Sequence, residues 1–423
     1  MEEKIIVSNN GPLEGTVKIG GAKNSALPII AASLLGTEPI ILEDVPKLND
    51  VSVILQVLEH LGSKVDYLDE RTIKIDSSNL TSYVTPFDLM SKMRASFLVM
   101  GPLLARFGIT KTSLPGGCAI GMRPVDLHLK GFKALGAEIV SDSTKIEAKT
   151  ENGLKGTVLY LDFPSVGATQ NIMMAASMAE GETVIENPAK EPEIVDLANF
   201  LNKLGGDVKG AGTSTIRIKG VEKLGGTTHP IIPDRIEAAT YMVGAAMTKG
   251  DVTIENCIVS HISPIIAKLR EVGCEVFDME DEDKVRVVGK GKKLIGANIK
   301  TLPYPGFPTD VQAQFMALLS ICEGQSTVTE TVFENRFMHV DELLKMGAII
   351  ATEGKEAQIA GVPKLRGAEV KATDLRAGAA LILAGLTAEG ETKIGETYHI
   401  YRGYDDIIGK LRGLGAKIDR IEE

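Results

Sequence analysis

One short signature recurs six times along the 423-residue chain and leaves little freedom in how it can fold. It reads Leu61-Gly-Ser-Lys-Val, Leu135-Gly-Ala-Glu-Ile, Leu204-Gly-Gly-Asp-Val, Val272-Gly-Cys-Glu-Val, Met346-Gly-Ala-Ile-Ile and Leu414-Gly-Ala-Lys-Ile, at spacings of 74, 69, 68, 74 and 68 residues. Repeats of that period across a whole chain mark an architecture built from one supersecondary unit. Each unit has the same grammar. A helix of small residues opens it, as in KNSALPIIAASLL and DRIEAATYMVGAAM. A Gly stops that helix and a β-rich run follows (TVIENPA, DVTIENC, ETKIGET). Next comes an amphipathic helix such as VSVILQVLEHLG or ISPIIAKLREVG, then one strand (SKVDYL, CEVFDM) and usually another (TIKID, KVRVVG). The recurring Leu-Gly predicts the end of the amphipathic helix, with Gly just past it where a positive φ costs little.

The small-residue helices are apolar nearly all round, so they are buried and not half-exposed. Six buried helices do not fit one small core. Three packed together with sheets outside them, twice over, bury them all. The expectation is an α/β chain of two pseudo-threefold lobes, each of three βαβαββ units with buried parallel helices.

Composition narrows the function classes. Hydrophobic residues at 44 % and charged residues at 24 % exclude a mainly disordered chain. Lys and Arg number 46 against 56 Asp and Glu, a net charge of −10, and Trp is absent. There is no basic surplus to displace counterions from nucleic acid. A few converging cations can still hold one anionic small molecule. The start, MEEKIIVSNNGPLEG, has no basic segment followed by an apolar one, so no signal peptide is expected. The longest apolar stretches, residues 25–36 and 377–388, fall short of the ~20 residues that span a bilayer. Cys118, Cys257, Cys274 and Cys322 are scattered and His is sparse, which predicts neither zinc nor a disulfide framework. The expectation is a cytoplasmic protein without metal or cofactor and without nucleic-acid or membrane partners.

Polar residues cluster where each buried helix begins: Lys23-Asn24, Lys92 to Arg94, Ser165 to Thr169, Asp234-Arg235, Asp310 with Gln312, and Asp374 to Arg376. Helix N-termini present unpaired N–H groups and favour anions. Capping accounts for Asp234, Asp310 and Asp374. It does not account for Lys23, Arg94, Arg235 and Arg376, since a cation there is misplaced by ~0.3–1 kcal/mol. Misplaced cations that recur at equivalent repeat positions point to an anionic ligand.

Residues 114–126, LPGGCAIGMRPVD, are too rich in Gly and Pro for helix or strand. They read as a loop of the kind that closes over a site. A lone loop cysteine is ordinarily inert, but Cys118 lies among glycines and close to Arg123, a setting that favours the thiolate. The other three cysteines fall in helix or strand patterns and read as small core residues.

The stretches GGAKNSALP, PGGCAIGMRP, FPTDVQAQF, ETVFENRFMHV and ATDLRAGAAL closely resemble the enolpyruvyl transferases, and the resemblance runs the whole length. It implies the inside-out α/β barrel of two lobes, one from residues 22–232 and one from 1–21 plus 233–423, with the active site in the cleft between them. The loop cysteine implies the branch acting on UDP-N-acetylglucosamine. That branch moves the enolpyruvyl group of phosphoenolpyruvate to the 3′-hydroxyl and releases phosphate through a tetrahedral ketal, the first committed step of peptidoglycan synthesis.

By the same resemblance Lys23, Arg123 and Arg402 take the phosphate, and Arg376 and Arg336 are candidates for the carboxylate. Cys118 occupies the acid position, which is also the thiol alkylated by fosfomycin. Asp310 matches the base, and Asp374 either serves proton transfers or holds Lys23 and the arginines in place. Asn24, Arg94, Arg123, Pro124, Val125, Asp126, Leu127, Ser165, Val166, Gly167 and Val332 are implied to hold the nucleotide sugar. His128, just past the loop, reads as a surface or packing histidine. One departure stands out. Some members carry Lys just before the Ser-Val-Gly-Ala-Thr motif, where this chain has Asp162-Phe163-Pro164. Two alternatives stay open: the sister branch acting on shikimate 3-phosphate, and a non-catalytic protein that only binds the nucleotide sugar. A monomer or weak homo-oligomer is expected.

Overall fold

All six glycines of the recurring signature have a positive φ: Gly62 at 108°, Gly136 at 95°, Gly205 at 101°, Gly273 at 108°, Gly347 at 86° and Gly415 at 91°. The left-handed turn that stops a helix is therefore built at every repeat. At the first, the Gly62 amide donates to the Glu59 carbonyl (3.0 Å) and the Ser63 amide to the Leu58 carbonyl (3.0 Å), which satisfies the last carbonyls of the helix. The computed structural model describes residues 3–90, 92–113, 125–142 and 144–422.

The described residues form six sheets, five of four strands and one of three. Each repeats one pairing scheme. Ile40–Glu43, for instance, pairs in parallel with Thr228–Pro230 and antiparallel with Ile73–Asp76, whose far edge takes Lys64–Tyr67 antiparallel. In the three-stranded sheet a single parallel bridge from Val84 to Lys111 stands where the others have their parallel strand. The first strands of the chain complete sheets made by its later part. Glu3–Ser8 lies between Glu391–Gly395 and Lys417–Glu422, and Glu14–Lys18 pairs with Asp251–Glu255.

Six buried helical stretches alternate with these sheets. They are Lys23–Ala32, Met100–Phe107 behind a 3-10 turn Arg94–Val99, Val166–Ala176, Arg235–Met247, Gln312–Leu319 behind a 3-10 turn Thr309–Val311, and Leu375–Thr387. In Arg235–Met247 every residue from Ile236 onward is buried, as an all-round apolar pattern requires. Their small residues permit close approach: a Cβ on Gly378 would lie 2.4 Å from the Ile400 side chain. The amphipathic helices bury one stripe only, such as Val51, Ile54, Leu55, Leu58 and Leu61 of Asn49–Leu61.

The chain divides into two compact units. One holds the chain up to Gly20 and from Pro233 onward; the other holds the stretch between, from Gly21 to Ile232, as far as it is described. Each has its own hydrophobic core. In the first, the helices Arg235–Met247, Gln312–Leu319 and Leu375–Thr387 pack on one another. In the second, Met100–Phe107 packs on Val166–Ala176, and Lys23–Ala32 on the Arg94–Val99 turn. No described helix is long and apolar enough to cross a membrane.

Candidate active-site residues

In the unit that includes residues 233–422, two helix starts meet. The Asp310 carboxylate receives Arg336 Nη2 at 2.8 Å and Arg376 Nη2 at 3.4 Å, one on each oxygen. Both arginines are buried, whereas the Asp310 side chain keeps 26 % of its surface. Asp310 is not a helix cap, contrary to the sequence expectation: its carboxylate is occupied by the two guanidinium groups, and no side-chain cap is made at that helix. Asp234 and Asp374 are caps. Asp234 accepts from the amides of Ile236 and Glu237, and Asp374 from those of Arg376 and Ala377.

Arg376 is the largest fully buried side chain of the described residues. Its guanidinium lies 5.3 Å from the Tyr404 ring centre, a cation–π contact. Its Nε and Nη1 have no hydrogen-bond partner among the described residues. Burial pulls its pKa down, but Tyr404, Asp310 and Asp234 outweigh that and hold it above the usual arginine value, so the charge persists. Leaving buried donors unmade costs about 1–3 kcal/mol each. Behind it, Gln314 Nε2 reaches the Thr240 and Tyr404 hydroxyls, each at 3.1 Å, and Thr240 and Tyr404 bond to each other at 2.9 Å. That network ties the helices Arg235–Met247 and Gln312–Leu319 to Tyr404, whose ring meets Arg376 of the third buried helix.

Two histidines flank Asp374 electrostatically. His339 is buried, and desolvation together with Arg336 lowers its pKa to about 4 although Asp374 opposes the shift. His399 is lowered too, first by burial and then by Arg402, again against Asp374. Both are neutral at pH 7. Arg402 closes the 3-10 turn Thr397–Arg402, and Val332 is held by its amide, which donates to Glu330 Oε1 at 2.8 Å.

The other unit brings together a second set. Lys23 opens its helix and is nonetheless buried, with Nζ 3.0 Å from Asp50 Oδ2. Asn24 follows it. The neighbouring Ser25 hydroxyl donates to Asp196 at 2.5 Å, and Asp196 also meets His229 Nε2 at 2.9 Å. Arg94 begins the next helix start and acts on His128. His128 is buried, edge-on to Phe97, with Nδ1 3.1 Å from the Asn171 amide nitrogen. It is a packing histidine and not a surface one. Burial first, then Arg94, lowers its pKa to about 3. Ser165 caps the helix that starts at Val166, accepting from the Ala168 amide at 3.3 Å. A Cβ on Gly167 would sit 3.2 Å from the His128 ring, which joins this helix start to that of Asp126–Ala134, where Val125, Asp126 and Leu127 lie. Asp162 is engaged by Lys130 at 2.6 Å. Cys118, Arg123 and Pro124 lie outside the described residues.

Asp50, Glu330, Asp196 and His229 were missed by sequence reasoning. Asp50 stands in the first turn of an amphipathic helix, where an acid reads as a match to the helix dipole. The others carry no local signal. Among the described residues no group of three or more His, Cys, Asp or Glu side chains could hold a metal ion.

The fold and these residues have close relatives. A family model described as EPSP synthase (3-phosphoshikimate 1-carboxyvinyltransferase) matches residues 7–411. The chain belongs to this family. Its curated relatives include the UDP-N-acetylglucosamine 1-carboxyvinyltransferase of Finegoldia magna, 73 % identical over 420 residues with 99 % of each chain covered. Another is UDP-N-acetylglucosamine 1-carboxyvinyltransferase 1 of Caldanaerobacter subterraneus subsp. tengcongensis, 59 % identical over 99 % of this chain and 100 % of that one. The enolpyruvyl transferase NikO from Streptomyces tendae shares the fold, with a TM-score of 0.89 at 24 % identity over 99 % of both chains. EPSP synthase from Acinetobacter baumannii does so with a TM-score of 0.78 at 20 % identity over 100 % of both.

Proposed function

We propose that this protein transfers the enolpyruvyl group of phosphoenolpyruvate to the 3′-hydroxyl of UDP-N-acetylglucosamine and releases phosphate. The full-length relatives at 73 % and 59 % identity bear the name of that activity. The observation that carries the reading is the buried, charged Arg376, with two nitrogens that find no hydrogen-bond partner among the described residues, beside a carboxylate that stays partly exposed. An anion completes the arginine, and the carboxylate is left to accept a proton.

In this reading Arg376 and Arg336 meet the carboxylate of phosphoenolpyruvate, and Lys23, Arg123 and Arg402 meet its phosphate. Asp310 removes the proton of the sugar hydroxyl as the oxygen bonds to the substituted carbon of the enol. Cys118 delivers a proton to the methylene carbon, giving a methyl group and a tetrahedral ketal that still bears phosphate. Elimination returns a proton from that methyl to the Cys118 thiolate and breaks the carbon–oxygen bond to phosphate, which leaves carrying the proton that Asp310 took up. Atoms and charge balance without a cofactor. Asn24, Arg94, Pro124, Val125, Asp126, Leu127, Ser165, Val166, Gly167 and Val332 hold the nucleotide sugar, and Asp374 keeps the cations in register. Each unit is read as one lobe of three repeats in an inside-out α/β barrel, the reaction is assigned to the cytoplasm, and fosfomycin is expected to alkylate Cys118.

Phosphate release is the test. It should require both substrates and be lost in Asp310→Asn. Release with shikimate 3-phosphate in place of the nucleotide sugar would transfer the reading to the sister branch, and binding of the nucleotide sugar without release would make the protein a non-catalytic binder.

A further inference from the structure

The Asp310 carboxylate is aimed by Arg336, and Arg336 is itself held from behind. Its Nη1 donates to the Thr309 hydroxyl oxygen at 3.1 Å while its Nη2 meets Asp310 at 2.8 Å. The Thr309 hydroxyl in turn donates its only proton to Glu330 Oε2 at 2.8 Å. That fixes the rotor, because a hydroxyl committed as donor to a carboxylate can only accept from the guanidinium. Glu330 is 1 % exposed, and its carboxylate accepts four hydrogen bonds, one on Oε2 and three on Oε1. Its Oε1 accepts from the Thr301 hydroxyl at 2.8 Å and from the amides of Val332 at 2.8 Å and Phe333 at 3.2 Å. The Phe333 ring lies 5.2 Å from the Arg336 guanidinium. A buried carboxylate is costly unless it is well hydrogen-bonded. Glu330 thus holds two hydroxyls and one turn, and both the Thr309 hydroxyl and the turn, through the Phe333 ring, reach Arg336.

We propose that Glu330, acting through Thr309, is the positioning residue that orients the Arg336–Asp310 pair for proton abstraction, and that it sets the 331–333 turn with the same carboxylate. The inference rests on the reading of Asp310 as the base. Glu330 touches neither reacting atom. Its effect runs through the order Glu330, Thr309, Arg336, Asp310, all within one unit.

The direct test is Thr309→Val, which keeps the shape and removes the relay without disturbing the Glu330 contacts to the turn amides. Loss of that alignment should lower kcat by about tenfold or more, with KM for the nucleotide sugar within about threefold, the pattern of an interaction made in the transition state. Thr309→Ser restores the hydroxyl and should keep at least about a third of the wild-type kcat. Glu330→Gln should resemble Thr309→Val, because an amide nitrogen facing the hydroxyl inverts its donor direction. Should Glu330→Gln fail to fold, the threonine pair carries the test alone. A Thr309→Val kcat within about threefold of wild type, an equal loss in the valine and serine variants, or a rise in KM with kcat unchanged would each overturn the proposal. If the wild-type protein shows no transfer at all, the reading of the reaction has failed. The positioning is then judged by crystal structures of wild type and Thr309→Val. The Arg336–Asp310 contact should be lost only in the variant, and its survival there would overturn the proposal.

Discussion

Lys23 Nζ and Asp50 Oδ2 meet at 3.0 Å, both buried, at the first turns of two helices that pack on each other. A cation at a helix N-terminus gains nothing from the helix dipole, so the carboxylate supplies its countercharge. Removing one partner of a buried pair costs about 3–5 kcal/mol, while replacing both with apolar groups is often neutral. Asp50→Leu should therefore destabilise the protein by about 3 kcal/mol in urea denaturation, and the double variant Lys23→Met/Asp50→Leu should recover most of it. Turnover should be absent in both. A stable Asp50→Leu protein would show that the pair is not what neutralises Lys23.

Asp374 has two separable duties. As a cap it accepts from the amides of Arg376 and Ala377 at 2.7 and 3.0 Å. As a charge it acts on His339 and His399. Asn caps as well as Asp, whereas Ala forfeits about 1 kcal/mol. Asp374→Asn should melt close to wild type and still lose about a hundredfold or more in kcat, because the charge that keeps the cations in register is removed. Asp374→Ala should lose both stability and kcat. Wild-type turnover in a normally stable Asp374→Asn protein would leave Asp374 as a cap and nothing more.

His128 should give the protein an acid-sensitive stability. In the fold its pKa is depressed from 6.5 to about 3, mainly by burial, so it stays neutral where the unfolded chain takes up a proton. Below pH 6.5 the unfolded state binds one proton more, and stability falls as pH drops from there toward 3. The slope is about 1.4 kcal/mol per pH unit for each such group. His339, lowered to about 4, adds a second proton over the upper part of that window. His128→Gln should remove one proton from the slope between pH 6 and 4, read from urea denaturation at a series of pH values. An unchanged slope would mean that His128 protonates within the native state.

Three of the four cysteines should be inert. Burial raises Cys257 and Cys322 to about 12 and Cys274 to about 11, so almost no thiolate exists at neutral pH. Native protein treated with fosfomycin should take up one equivalent, located to Cys118 by peptide mass, and the other thiols should react with alkylating reagents only after denaturation. Label on Cys257, Cys274 or Cys322 of the native protein would contradict this.

Much of the fold was legible because it is written six times. A helix-stopping Gly demands a positive φ, and an all-round apolar helix demands burial. Both demands are local, and both are met from Gly62 to Gly415. The cations at helix starts were legible for the opposite reason, since Lys23 and Arg376 break a local rule. What was not legible is pairing across distance. Asp50 lies 27 residues from Lys23, Asp196 lies 171 from Ser25, and Glu330 reaches Thr309 across 21. No periodicity encodes such contacts, because they arise only when elements far apart in the chain, within one repeat or in different ones, fold against one another. Asp310 was misjudged on the same ground. As a residue at a helix start it reads as a cap, and only the distant Arg336 and Arg376 make it a paired carboxylate.

The central claim, that an anion completes the Arg376 site while Asp310 removes a proton, is tested most directly by phosphate release with both substrates present. Wild type should release one phosphate for each nucleotide sugar converted to a product heavier by an enolpyruvyl group. Arg376→Met and Asp310→Asn should each abolish release while remaining folded by circular dichroism. Undiminished phosphate release from either folded variant would contradict the account.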